Sequence, residues 1–269
     1  MRRLLFGTIA IAAILVLGGV TSSVAKNHWS FFGNSRGVRG SGVPTTIDRQ
    51  VDGFDRIELS IGADLDITVG PTFKLSLTCD DNLVDLISTR VRGRTLEIDS
   101  RGSFSTREDI KIVMTVPKLT ELAIDGSGNI ILSKLTGEDF TLDISGSADV
   151  KCDGSVKDLR VTVDGSGDAE FTGLAAERID LEVSGSGDIT LAGTCGEMSV
   201  EIPGSGYVDA RELKCKDVIA DISGSGNVDC WAENSIDGSV SGSGDIRYWG
   251  SPADVNRSVC GHGRITRKS

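Results

Sequence analysis

Six acidic or amide residues recur at one spacing and are the first candidates for chemistry. Asn129, Asp149, Asp168, Asp188, Asn227 and Asp245 each stand three residues after the glycine that opens a recurring Gly-Ser-Gly, written Gly-Ser-Ala at 146–148. A row of carboxylates on turns could hold calcium, a hard cation that takes oxygen ligands. The calcium-binding nonapeptide β-helix repeat works this way, but at a period about half as long and with further oxygen donors. Asp and Asn also satisfy turn amides at Gly-rich corners. That is the role expected of this ladder, so neither a metal nor another cofactor is expected.

Other candidates are weaker. Gly33-Asn34-Ser35-Arg36-Gly37 has the form of a nucleophile elbow, which needs a strand before it and a helix after it. It lies instead in a polar, patternless stretch, 26–44, expected to be a flexible linker. The two histidines are His28, in that stretch, and His262, in the slot of a motif serine; no Ser-His-acid triad can be assembled from them. Asp180 and Glu182 raise the alternative of a polysaccharide hydrolase or lyase. As alternate residues of one strand they are equally what a solvated face carries. No catalytic residue is assigned.

The aromatics are unevenly placed. Tyr207, Trp231, Tyr248 and Trp249 fall in the last three full repeats, and Trp231 and Trp249 share one repeat position. Exposed, they would form a platform for a sugar or a partner protein; otherwise they would cover the open end of the core. They are the candidate ligand-binding residues. The six cysteines show no CxxC and no histidine partner, which gives no support to a zinc site. Cys195 and Cys215 each precede the next motif glycine by nine residues. They should be neighbours one repeat apart, ~4.8 Å by Cα and within disulfide range. Cys152 and Cys230 share a position but lie four repeats apart, and are expected as free, buried thiols.

These residues ride on a repeat. The first motif glycines are 126, 146, 165, 185, 204, 224, 242 and 261, at intervals of 18 to 20 residues. Counted from that glycine, positions −4, −2, +4 and +6 are apolar, as in Leu181, Val183, Ile189 and Leu191. The odd positions between them are mostly charged or hydroxylated. This alternation means strand with one buried face. A unit that cannot bury its face alone must stack on its neighbours. The fold expected is therefore all-β: a parallel β-helix, or solenoid, of roughly eight to nine coils of 18–20 residues, a single domain over 45–269. Glycines 0 and +2 are expected where the chain turns into a narrow interior that admits no Cβ. Residues 45–118 fit less well and are read as a degenerate first coil at Leu59–Ile67 within a β-rich cap; Asn82–Ile87 could form one short helix. The repeats proper occupy 119–269.

Residues 1–25 have the make-up of a cleaved secretory leader: Arg2-Arg3, an apolar run from Leu4 to Val20, then Ser23-Val24-Ala25. No later stretch could span a membrane. Export would place the chain where disulfides form and persist. The formal charge of −11 repels phosphate backbones and argues against nucleic acid as a partner.

The sequence resembles the bacterial family called the putative auto-transporter adhesin head domain, or GIN domain. The resemblance runs from Phe54-Asp55-Arg56-Ile57 through Val116-Pro117-Lys118-Leu119 and the GSGD/GSGN series to Ser241–Gly250. It implies a β-helical protein of the cell envelope or exterior and carries over no activity. The function expected is that of an exported, non-enzymatic module, periplasmic or at the cell surface, with a protein or glycan of the envelope as partner. A polysaccharide-active enzyme is the alternative.

Overall fold

The computed structural model describes residues 37–269. The expected leader, and residues 26–36 of the expected linker, lie outside the described residues. Residues 37–44 are anchored rather than loose. The short strand β1 (Val38–Arg39) pairs in parallel with Phe104–Ser105, and the Asp80 carboxylate accepts hydrogen bonds from the Gly42 and Arg107 amides.

The chain winds as a parallel β-solenoid of about seven turns, slightly fewer than the eight to nine coils expected. Residues 45–118 supply its first coil and the closure at its N-terminal side. There Arg56–Leu59 and Asp64–Val69 form a first coil that pairs in parallel with the second. Beneath it, Lys74–Asp80 pairs antiparallel with Pro44–Asp48 and with Lys111–Val116, and Ile87–Arg92 pairs antiparallel with Thr95–Ser100. The change of strand direction covers the edge on which further coils could otherwise add.

The possible helix at 82–87 is only a 3₁₀ turn, Asp81–Leu83, followed by a strand from Ile87. Six residues are too few to propagate a helix unaided. The groups it would use are also engaged elsewhere: Asn82 Nδ2 donates to the Arg39 carbonyl, and the Val84 carbonyl accepts from Arg49.

The coils stack as the alternation requires. Column −2 (Ile124, Ile144, Val163, Val183, Ile202, Ile222, Val240) is buried through seven repeats, as are columns −4, +4 and +6; in the last repeat Val259 is exposed. Within the stack each strand bends once at a bulge, for example between Leu132 and Leu135, and again at the Gly-Ser-Gly.

The glycines have a different cause from the one expected. At Gly146, Gly165, Gly185, Gly224 and Gly242 the backbone is not left-handed. A Cβ would instead fall 1.8–2.0 Å from the carbonyl oxygen of the motif glycine one coil earlier. That same carbonyl accepts the amide of the next coil's motif serine, as Gly165 O does from Ser186 N at 3.0 Å. The corner stacks backbone on backbone, and the hydrogen bond leaves no room for a side chain between coils.

Candidate functional site

The +3 ladder is a backbone clamp. Asp168 Oδ1 accepts the Asp188 amide at 2.9 Å, Asp188 Oδ1 accepts the Tyr207 amide at 3.1 Å, and Asn227 Oδ1 accepts the Asp245 amide at 2.9 Å. Each side chain pairs the amide of its own column one coil on. Ladder carboxylates also crowd each other: burial and then the Asp168 charge push the Asp188 carboxyl above its usual range. At the last rung Arg264 replaces the acid and lies 3.0 Å from Asp245, holding that carboxyl below its usual range.

Cys195 and Cys215 are register partners with Cα atoms 4.6 Å apart, joined as a disulfide. Cys152 and Cys230 are free and buried. Burial first, and an adjacent aspartate second, pushes each thiol up to about 12.

The four aromatics do not form one surface. Tyr248 is buried at 1% exposure; its hydroxyl accepts from Arg257, whose guanidinium lies 5.2 Å from the ring centre. Its position, +6, is an inward one, so it closes the core and is unavailable as a platform. Tyr207 is half-buried and donates through its hydroxyl to Asp229 Oδ2 at 2.9 Å. Burial and this bond push the phenol well above its ordinary value. Asp229 is outward-facing by parity yet only 3% exposed, because Arg247 Nε at 2.6 Å and Tyr207 fold over it.

Trp231 and Trp249 are register partners and are brought together. They line a hollow of about 470 Å³ with Glu233, Ser251, Arg267 and Lys268. Each indole is also covered by a cation from an earlier coil. Lys214 lies over Trp231, and Arg211, clasped by Asp209, lies 5.9 Å from the Trp249 ring centre. The Arg211 hydrogen bonds hold the Asp209 carboxyl below its usual range. Gly250 (φ +97°) makes the hollow possible. A Cβ there would lie 2.0 Å from the Ala232 carbonyl and 3.3 Å from Trp231 Nε1.

The family described as "putative auto-transporter adhesin, head GIN domain" matches residues 53–177 and 155–252. The chain belongs to this family. No curated protein matches it. Among solved structures, a putative lipid binding protein from Parabacteroides distasonis is 27% identical, with a TM-score of 0.80, covering 86% of this chain and 99% of its own. A putative adhesin from Bacteroides fragilis is 25% identical, with a TM-score of 0.65, covering 86% of this chain and 100% of its own. A putative adhesin from Parabacteroides merdae, 24% identical with a TM-score of 0.81, covers 86% of this chain and 99% of its own, and shares the fold.

The GIN-domain surface also contains the acidic pair that raised an enzyme. Asp180 and Glu182 line a shallow groove with Arg160, Ser199 and Glu201. Arg160 lies 3.5 Å from Asp180. Glu182 and Glu201 are neighbours in register, as are Glu201 and Asp221. Side chains so paired stand side by side on one face, whereas glycoside cleavage needs two carboxyls facing each other across the bond. Like charges opposed across strands are destabilising. Glu201→Gln should therefore stabilise the rod slightly, by about a few tenths of a kcal/mol, and so raise the melting temperature and flatten its rise with salt. An unchanged or lower midpoint at low salt would contradict this column of repulsion.

Reading the repeat missed Arg211, Lys214, Arg267 and Lys268 at the hollow. A signal was available: the motif interval falls from 20 to 18 residues there. The surplus is taken up by a bulge at 211–213, which brings Lys214 rather than Arg211 into register with Trp231.

Proposed function

We propose that this GIN-domain protein is an exported, non-enzymatic binding module of the cell envelope that engages a glycan or protein through its C-terminal coils. The observation that carries this reading is the Trp231–Trp249 hollow: two half-buried indoles on the outside of a rod whose core is already filled. Aromatic side chains held outside a finished core are what recognition surfaces use. Its relatives' descriptions as adhesins and a lipid binding protein support a binding role. The flat arrangement of Glu182 and Glu201 gives little support to the enzymatic alternative. Export is supported by the Arg2-to-Ala25 leader pattern and by the family.

The test is capture from the organism's own envelope. Immobilised full-length protein should retain an envelope component that the Trp231→Ala/Trp249→Ala variant does not, at matched melting temperature. Equal retention by both proteins would remove the hollow from the binding surface.

A further inference from the structure

We infer that the Trp231–Trp249 hollow takes an acidic pyranose, a hexuronate unit of a polysaccharide. This rests on the binding reading above and names the ligand class. The apolar part is set by the two indoles. A pyranose ring has apolar C–H faces and a hydroxylated edge, so it can lie against an indole while its edge reaches polar groups. A hollow of about 470 Å³ is within the size of a small-molecule site and open enough to admit one or two such rings.

Charge selects the acidic sugar. The chain carries a formal charge of −11, yet this corner is cationic: Arg257, Arg267 and Lys268 stand there against Asp254, while Arg247 is paired with Asp229. Asp245 is taken by Arg264. Among the described residues no carboxylate lies within ion-pair distance of Lys268, including Glu233 in the same hollow. Arg267 is fixed by donating to the Gly250 carbonyl at 3.0 Å and to Ser251 Oγ at 2.6 Å. A guanidinium has five N–H donors, so further donors remain for a ligand carboxylate. Lys214, over the Trp231 ring, adds to the same field, whereas Arg211 is neutralised by Asp209. A uronate carboxylate projects from the ring edge, which sets it toward Arg267 and Lys268 when the ring face lies on tryptophan. Glu233 is left to accept a sugar hydroxyl.

The measurement is intrinsic tryptophan fluorescence of the full chain titrated with trigalacturonate and, separately, with cellotriose, at low and high salt. Trigalacturonate should change the emission saturably and bind at least about ten-fold more tightly than cellotriose, with the advantage shrinking in salt. Trp249→Ala should abolish the response, still readable through Trp231. The exposed-site variant Lys268→Gln, which leaves the core alone, should weaken trigalacturonate about five-fold and leave cellotriose unchanged. Equal affinity for the two sugars, or an unaltered response in Lys268→Gln, overturns the acidic assignment. If neither sugar binds while envelope capture still depends on the tryptophans, the inference fails and the binding reading stands. If capture is also independent of them, both fail.

Discussion

Val183→Asp should unfold the rod, while Glu182→Lys, one residue away, should leave its melting temperature intact or raise it. Val183 is fully buried, in register with Val163 on one side, and on the other its carbonyl accepts a hydrogen bond from the Gly204 amide of the next coil. Removing a buried valine forfeits about 1.5–3 kcal/mol, and an unpaired carboxylate in its place costs several more. Against a total stability of about 5–15 kcal/mol this is enough to break the stack, and in a solenoid the damage spreads to the coils on either side. Glu182 points outward and is exposed beside Glu201, so a lysine there exchanges a repulsion for an attraction. Circular dichroism melts of the two variants check this directly. Comparable midpoints would mean that the inward and outward parities are wrong.

Gly187→Val carries the second large effect. A Cβ at Gly187 would sit 2.0 Å from the Gly167 carbonyl oxygen and 2.9 Å from Val163 Cγ1. Neither can yield cheaply: one is backbone of the adjacent coil and the other belongs to the packed core. The ordinary penalty for overpacking is about 1–3 kcal/mol; here backbones must separate, so the loss should exceed about 3 kcal/mol. Ala148→Gly, at the same repeat position, should cost no more than about 1 kcal/mol, the entropy of an added glycine. Denaturant unfolding of both proteins measures the contrast. A Gly187→Val protein as stable as the Ala148→Gly protein would show that the coils are not held at backbone contact.

These two variants also separate what was legible from what was not. The burial of Val183 follows from parity alone, since even positions of a strand share a face. The intolerance of Gly187 was legible as a fact, but its cause was not. Glycine at a corner suggested a cramped interior. The obstacle is instead the carbonyl of the coil before, an atom about twenty residues away in the chain. The same limit appears at Tyr248 and Trp249. Adjacent in sequence, they looked like one aromatic cluster. One lies inward under Arg257, and the other lies outward under Arg211.

By itself the sequence determined the strand period, the buried columns, the parallel register, and hence the neighbours Asp245–Arg264 and Cys195–Cys215. All of these depend only on a unit meeting its own copy, so an interval of 18 to 20 residues is sufficient information. The tertiary structure alone decided the rest. Closure at 45–118 uses antiparallel pairs between unlike segments, such as Pro44–Asp48 on Lys74–Asp80, and no period announces them. At 82–87 only a 3₁₀ turn, Asp81–Leu83, formed before the strand at Ile87, because contacts with Arg39 and Arg49 outweighed a weak local preference. The hollow arose where one coil is two residues longer than the next, and its bulge at 211–213 moved Lys214 over Trp231 and left Trp231 and Trp249 facing a space bounded by Arg267 and Lys268. A repeat specifies what all coils share; a recess on its surface exists only where two coils differ, and that difference takes its shape in three dimensions.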